Sequence, residues 1–156
     1  MSAVLQEPTV TLRPMLADDV EAVLEIEHAM YEFPWTRGIF RDCLRVGYCC
    51  WVLSKGDEVI AYAVLSVAAG ESHLLNVCVS EGHQRQGHAA RLIKHMLDLA
   101  KSHGAGVCLL EVRPSNTAAV TLYEQMNFVE VGIRPNYYPA KKGREDALIL
   151  ALELIF

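Results

Sequence analysis

The chain has 156 residues, a formal net charge of -5, 52% hydrophobic residues and 21% charged residues. This length suits one domain with a hydrophobic core, which we expect to span residues 1–156, and the balance of residue types excludes a disordered chain. The acidic balance argues against a general nucleic-acid binder, and the absence of a run of about 18 apolar residues argues against a transmembrane helix. Residues 1–11 lack a signal-peptide pattern, so we expect a cytoplasmic protein. We also expect a monomer.

The five cysteines predict neither a disulfide framework nor a zinc site. Their number is odd, and no pair has the two-residue spacing that zinc sites and redox motifs use. Four lie in or next to apolar runs, where cysteine packs as a small hydrophobic side chain, so we expect buried, unreactive thiols. The cysteines are Cys43, Cys49, Cys50, Cys78 and Cys108.

The chain begins with a predicted strand and a predicted helix. Residues 9–13 alternate in polarity as a strand does. Asp18 or Asp19 can begin a helix that continues to about Met30. The apolar stripe of this helix is predicted to comprise Val20, Val23, Leu24 and Ala29.

The next segment carries three aromatic residues in a predicted loop. Pro34 interrupts the first helix, and Thr36 can cap a second, shorter one. Trp35 is expected to close one end of the core. Two roles remain open for Tyr31 and Phe33, packing and contact with a substrate, because binding residues gather on loops.

The middle of the chain predicts three strands and the most periodic helix. The strands are residues 48–54, 59–67 and 73–79, and the helix is residues 87–103 with Gly104 as its terminator. Its buried stripe is predicted to comprise Ala89, Leu92, Ile93, Met96, Leu97 and Ala100. The side chains expected to face solvent are Arg91, Lys94, His95, Asp98 and Lys101.

A further strand, residues 107–113, leads into another helix. Ser115 or Asn116 can cap that helix, and Asn127 is a plausible left-handed terminator. Its apolar face is predicted to comprise Ala119, Val120, Tyr123 and Met126.

Two final strands, residues 128–138 and 146–154, complete the order β-α-α-β-β-β-α-β-α-β-β. The three successive strands predict an antiparallel meander, and the strand-helix-strand units after it predict crossover connections. The predicted fold class is therefore a mixed α/β sheet with helices on both faces.

The turn before the periodic helix predicts an anion site. It reads Gln84-Arg85-Gln86-Gly87-His88-Ala89 and joins an apolar strand to the helix. A helix N-terminus presents unpaired N–H groups and the positive end of the helix dipole, which together suit a phosphate. The glycine patterns of dinucleotide-binding and nucleoside-triphosphate-binding loops are absent. We predict that this turn holds the diphosphate of a cofactor.

Glu111 is the one charged residue in the apolar stretch 107–112. A carboxylate on a central strand is unfavourable unless it is paired or faces a cleft. One interpretation is an ion pair with Arg113, two residues further along the same strand face. We favour the other interpretation, a proton acceptor, because a partly desolvated carboxylate can take a proton near neutrality.

Other polar residues support or exclude particular chemistries. Tyr123 lies on the apolar side of its helix, where its ring can pack or its hydroxyl can donate a proton into the same cleft. Asn116 can be a helix cap. A Ser–His–Asp or Cys–His nucleophile cannot be assembled, because His73, His83 and His88 surround the turn without a fixed partner.

Taken together, these motifs resemble the GNAT acetyltransferases. The turn at residues 84–89 fits the acetyl-CoA pattern [QR]-x-x-G-x-[GA] of that family. Further segments resemble the RimI-type ribosomal-protein alanine N-acetyltransferases. These segments are residues 33–35, 110–116, 122–128, 134–139 and 145–147.

The resemblance implies a GNAT fold, a mixed and mostly antiparallel sheet of about seven strands whose splayed central strands admit the pantetheine arm. It also implies acetyl-CoA as co-substrate, no metal, and acetyl transfer to a protein N-terminal α-amine. The expected acceptor is the N-terminal alanine of a small-subunit ribosomal protein, and neither nucleic-acid nor membrane binding is expected.

The resemblance also assigns roles to residues. Glu111 matches the proton acceptor and Tyr123 the proton donor to the departing thiolate. The residues matched to cofactor contacts are Val77, Cys78 and Val79 for pantetheine, Arg85, Gln86, Gly87, His88, Ala89 and Ala90 for the diphosphate, and Asn116. The expected walls of the peptide groove are Tyr31, Phe33, Tyr137 and Tyr138.

Two departures and two alternatives accompany this assignment. His88 and Ala89 stand where many relatives carry an apolar residue and glycine, and Ala89 leaves less room beside the diphosphate than glycine would. One alternative function is acetylation of a small amine, such as a polyamine or an aminoglycoside, which the segment 136–139 disfavours. The other is a non-catalytic CoA-binding module, which the presence of both Glu111 and Tyr123 disfavours.

Overall fold

The computed structural model describes residues 8–154, which form one sheet with four α-helices. The strands are β1 (Val10–Pro14), β2 (Cys49–Lys55), β3 (Glu58–Ala68), β4 (Glu71–Val79), β5 (Val107–Val112), β6 (Val129–Pro139) and β7 (Arg144–Glu153). The helices are α1 (Val20–Met30), α2 (Arg37–Arg45), α3 (His88–Ser102) and α4 (Thr117–Gln125). The predicted order of helices and strands is confirmed.

The sheet is mixed and mostly antiparallel, as predicted. Its strands lie in the order β1-β2-β3-β4-β5-β7-β6. Among the strands of residues 8–154, β4 and β5 form the one parallel pair, and every other neighbouring pair is antiparallel. None of the helices in residues 8–154 is long and apolar enough to cross a membrane.

The two parallel strands part halfway along their length. β4 pairs with β5 only from Glu71 to Leu74. Beyond that point β4 stays paired with β3 as far as Val79, and β5 stays paired with β7 as far as Val112. A gap therefore opens in the middle of the sheet, at the ends of β4 and β5.

A β-bulge lies at the start of this gap. The β3–β4 partners change from Val64 with Asn76 to Leu65 with Leu74, so Leu75 is an extra residue on β4. A bulge re-aims the side chains that follow it. As a result, the Asn76 side chain points toward α1, on the face opposite to that of Leu74.

Two apolar clusters hold the helices against the two faces of the sheet. The buried residues of α3, with the half-buried face of α4, pack on one face. Helices α1 and α2 pack on the other, where Phe40 and Tyr62 meet edge to face at a centroid distance of 5.6 Å. Burying one such apolar side chain contributes about 1.5–3 kcal/mol to the stability of the fold, so the two clusters hold the helices against the sheet.

Helix ends follow the predicted caps. The Thr36 side chain accepts a hydrogen bond from the Ile39 N–H, and Asn116 accepts one from Ala119. Asn127 has a φ of 74°, which agrees with its predicted role as a left-handed terminator. All five cysteines are free, and four of them are buried.

Two predictions about which helix residues are buried and which face solvent are wrong. Ala29 is exposed, and the α1 stripe is completed instead by Ile26 and Glu27, which continue the three- and four-residue spacing of the helix. His95 is half-buried rather than fully exposed, because its ring packs against Trp51 at a centroid distance of 4.2 Å. Its Nε2 is buried without a hydrogen-bond partner among the described residues.

Candidate active site

A cleft of about 490 Å³ occupies the gap between β4 and β5. It is bounded by the end of α1 and the loop after it, by the start of α4, and by the hairpin of β6 and β7. The predicted site residues that line it are Tyr31, Phe33, Val77, Glu111, Asn116, Tyr123 and Tyr138. The structure thus brings the predicted acid–base pair and most of the predicted groove walls to one opening.

The β4 backbone presents polar groups to this opening. Ser80 donates its N–H to Ile60 on β3, and alternate residues of an antiparallel strand point their backbone groups to opposite sides. Val77 and Val79 therefore direct theirs away from β3. In agreement, the Val77 carbonyl accepts the Tyr31 hydroxyl at 3.1 Å. The Val79 carbonyl accepts a hydrogen bond of 3.3 Å from the amide of the Gln84 side chain.

The predicted anion site lies at the start of α3, beyond the residues that line the cleft. Gly87 is the N-cap residue of the helix, with a φ of 81°, and no side chain donates or accepts a capping hydrogen bond there. Arg85, in the same turn, also has a positive φ, of 61°. The first intrahelical bond runs from Arg91 to Gly87, so the N–H groups of residues 88–90 are unused within the helix. Such a terminus favours an anion.

The charges around this terminus are positive. Burial lowers the pKa of His88, and the nearby His83, Arg91 and Lys55 lower it further. The His88 Nε2 also lies 3.2 Å from the Gln86 side-chain oxygen. These positively charged neighbours oppose a further positive charge on His88, and they favour a bound anion.

Glu111 is partnered, but not by Arg113. Its side chain is 12% exposed, and its Oε1 lies 3.5 Å from Arg134 Nε and 3.5 Å from His73 Nε2. A hydrogen bond to Glu111 raises the pKa of Tyr137. The alternative ion pair with Arg113 is wrong, because β5 ends at residue 112 and Arg113 turns to other partners.

Tyr123 is half-buried on the other side of the cleft, with its ring 5.6 Å from that of Phe128. Burial raises the pKa of Tyr123, so the phenol stays protonated at neutral pH. Asn116 both caps α4 and lines the cleft. A protonated phenol and a carboxylate that line one cleft are the groups that a general acid and a general base require.

A cation joins the aromatic walls at the mouth of the cleft. The Arg113 guanidinium lies 4.4 Å from the Tyr138 ring centroid and 5.7 Å from that of Phe33. Arg113 also donates to the Pro139 carbonyl at 2.9 Å and to Glu145 at 3.2 Å. These contacts tie the β6–β7 hairpin to the loop after α1.

Other predicted residues lie elsewhere. Cys78 turns its thiol into the core beneath α1, where burial raises its pKa to about 11, and Val79 is buried on the other face. Tyr137 is not among the residues that line the cleft, and its ring packs edge to face against that of Tyr138 at a centroid distance of 4.9 Å. Within residues 8–154, no three His, Cys, Asp or Glu side chains are grouped as a metal site requires. The absence of a metal stays a prediction.

Sequence reasoning missed two kinds of residue in this site. It missed Arg134 and His73 beside Glu111, because their proximity depends on strand pairing that no local pattern encodes. It also missed Glu27, a buried carboxylate of α1 that lines the cleft. A signal for Glu27 was present, since it follows Val20 by seven residues and Val23 by four and so falls on the apolar stripe.

Comparison with known proteins places this geometry in context. The model of the acetyltransferase (GNAT) family matches residues 20–128. The ribosomal protein bS18-alanine N-acetyltransferase of Escherichia coli (strain K12) is 37% identical over 144 residues, 92% of this chain and 97% of that protein. A putative enzyme of the same description from Bacillus subtilis is 30% identical over 141 residues, 89% of this chain and 92% of that protein.

Solved structures agree. The crystal structure of the ribosomal-protein-S18-alanine N-acetyltransferase from Escherichia coli has a TM-score of 0.88 and 36% identity, covering 95% of this chain and 96% of that chain. Ard1 from Thermoplasma volcanium has a TM-score of 0.86 at 24% identity, covering 94% and 99%. The structure of yncA from Salmonella typhimurium, described as a putative acetyltransferase and solved with its cofactor acetyl-CoA, has a TM-score of 0.80 at 20% identity, covering 95% of each chain. The last two likenesses concern the fold.

Proposed function

The chain belongs to the GNAT acetyltransferase family, and we propose that it transfers the acetyl group of acetyl-CoA to the N-terminal α-amine of a protein. The expected acceptor is the N-terminal alanine of ribosomal protein bS18. The observation that carries this proposal is the cleft between β4 and β5, which is lined by Glu111, Tyr123 and the Val77 backbone. The similarity to bS18-alanine N-acetyltransferases over 92% of the chain supports the choice of acceptor.

Two features of the chain fit acetyl-CoA. Where β4 has no β5 partner, the N–H groups of Val77 and Val79 point away from β3, and they could bond the amides of a pantetheine arm. The start of α3, which no side chain caps and which follows Arg85 in the turn, suits the diphosphate. Residues 85–90 would hold the diphosphate, and Asn116 would contact the cofactor beside the cleft.

Glu111 is the proposed base. The α-amine of a peptide is largely an ammonium below its ordinary pKa of about 8, and it must lose a proton before it can attack a thioester. Glu111 would accept that proton, directly or through a water molecule. Arg134 and His73 lie within 3.5 Å of its Oε1 and hold the carboxylate in place.

The Val77 N–H and Tyr123 are the proposed groups on the acyl-donor side. As the amine attacks, negative charge grows on the thioester oxygen, and a backbone N–H directed into the gap can stabilise it. Tyr123 then donates its proton to the departing thiolate, and burial keeps the phenol protonated until that step. Neither step requires a covalent bond to the enzyme.

A single assay tests the proposal against its alternatives. Purified protein is incubated with acetyl-CoA and separate acceptors, namely an Ala-initiated bS18 peptide, its N-acetylated form, polyamines, aminoglycosides and lysine peptides. Free thiol and the mass of the product are then followed. We expect turnover with the free bS18 peptide alone. Turnover only with polyamines or aminoglycosides would replace the proposal, and tight CoA binding without turnover would indicate a non-catalytic module.

A further inference from the structure

The buried carboxylate of Glu27 has no part in the proposed proton transfers. Glu27 lies in the last turns of α1 and is 2% exposed. Burying a carboxylate is unfavourable unless each oxygen finds hydrogen-bond donors, and packing alone would need only an apolar residue such as the neighbouring Ile26. The position therefore calls for an explanation in terms of its contacts.

Those contacts join three separate parts of the chain. The Glu27 Oε1 accepts the Tyr62 hydroxyl of β3 at 2.6 Å and the Asn76 side-chain amide of β4 at 2.8 Å. Its Oε2 accepts the backbone N–H of Trp35 at 2.8 Å. One carboxylate thus connects β4 on one side with the aromatic loop after α1 on the other.

The part of β4 that Glu27 contacts is the part without a β5 partner. Asn76 lies beyond the last β4–β5 pair and immediately before Val77. The bulge at Leu75 turns the Asn76 side chain toward α1. One turn after Glu27, the Tyr31 hydroxyl reaches the Val77 carbonyl at 3.1 Å. Helix α1 therefore holds, from one face of the sheet, a segment of β4 that is paired with β3 but not with β5.

The Trp35 contact lies on the acceptor side of the cleft. Trp35 follows Phe33 in the loop that forms one wall, and its ring packs on Phe40 at 5.3 Å. A backbone hydrogen bond to a charged acceptor fixes this loop more firmly than ring packing alone. The loop and the acyl-contacting end of β4 are consequently held to the same side chain.

We propose that Glu27 is a positioning residue that sets the separation between the peptide-binding wall and the acyl-contacting end of β4. The inference rests on the proposed function for the identity of the two sides. A carboxylate suits this role because both of its oxygens accept hydrogen bonds, so it can serve donors on opposite sides at once.

The substitution Glu27→Gln separates the two contacts. An amide has one accepting oxygen, and we expect that oxygen to remain with the two donors Tyr62 and Asn76. The amide NH₂ then faces the Trp35 N–H, donor against donor, and the loop loses its anchor. The predicted result is a rise of about tenfold in the KM for the bS18 peptide, with the KM and the calorimetric Kd for acetyl-CoA within twofold of wild type.

Three further variants make the test specific. Asn76→Ala removes the contact on the β4 side and should weaken acetyl-CoA binding severalfold. Tyr62→Phe removes the third partner of Glu27, which lies in the core, and should lower the thermal midpoint without moving either KM. Combining Glu27→Gln with Asn76→Asp exchanges donor and acceptor, which lets the amide oxygen turn to Trp35 and should restore the peptide KM.

The outcomes distinguish this inference from the proposed function. If Glu27→Gln lowers the thermal midpoint but leaves the peptide KM within twofold, or if Tyr62→Phe raises both KM values as much, the positioning role is wrong. If the wild-type protein acetylates no peptide, the proposed function fails. In that case calorimetry with acetyl-CoA still tests the β4 side, and equal binding by wild type and Asn76→Ala would overturn it.

Discussion

Replacement of Glu111 by Gln is the sharpest perturbation of the proposed chemistry. Gln keeps the shape of the side chain but cannot take a proton from the amine. General-base catalysis contributes a factor of about 10²–10⁴, so the barrier should rise by about 3–5 kcal/mol and kcat/KM should fall by the same factor. The deficit should be greatest at acid pH, because free amine becomes more abundant as the pH rises.

The fold should tolerate this change. The ion-pair partner Arg134 lies 3.5 Å away and is 54% exposed, so the lost ion pair is worth at most about 1 kcal/mol. A loss of activity far larger than the loss of stability therefore separates a chemical role from a structural one.

The assay is a pH–rate profile from pH 6 to 9.5 with acetyl-CoA and the bS18 peptide, accompanied by calorimetric binding of acetyl-CoA. We expect binding to remain within about twofold of wild type, because the substitution does not touch the diphosphate site. Glu130→Gln, an exposed carboxamide substitution on β6, is the matched control and should leave the profile unchanged. A Glu111→Gln protein with wild-type kcat/KM and an unaltered profile would remove Glu111 from the role of base.

Three further predictions address other groups. Tyr123→Phe keeps the ring packed and should reduce kcat by at least about a hundredfold with little change in thermal midpoint, whereas a wild-type kcat would leave Tyr123 a packing residue. A bound diphosphate should raise the lowered pKa of His88, so acetyl-CoA affinity should increase as the pH falls from 7.5 to 6. His88→Leu should abolish that trend, and an identical trend in the variant would refute the assignment. Burial lowers the pKa of His95 in the folded protein below its ordinary value of about 6.5. The stability that neutral His95 contributes is therefore present above about pH 6.5 and is lost as the pH falls from there through the lowered pKa. In chemical denaturation, His95→Leu should therefore reduce the loss of stability between pH 7 and 5, and an unchanged loss would contradict this account.

The fold was largely predictable because its signals are local. The periodicity of α3, the Thr36 and Asn116 caps and the Asn127 terminator each depend on a few neighbouring residues, and each agrees with the structure. His95 was misplaced because its environment depends on Trp51, which is remote in sequence. Helical periodicity places a residue on a side of the helix, but it does not say how far the neighbouring strand reaches under it.

Several residues that line the cleft were predictable from the sequence, but their surroundings were not. Glu111 was identified because a charge within an apolar strand is unfavourable without a cleft or a partner. Its partners His73 and Arg134 come from β4 and β6, whose positions depend on the β4-β5-β7-β6 order, which composition does not reveal. The Glu27 connections depend in addition on one bulge at Leu75, a feature with no clear local pattern.

The most direct test of the account is mass spectrometry of the bS18 peptide after reaction with acetyl-CoA. We predict one added acetyl group, located on the α-amine of the N-terminal alanine, with one equivalent of free CoA released. The same peptide with its N-terminus already acetylated should remain unmodified. Two results would contradict the proposed function. One is acetylation of lysine side chains while the α-amine of the peptide stays unmodified, and the other is acetylation of a polyamine without acetylation of the peptide.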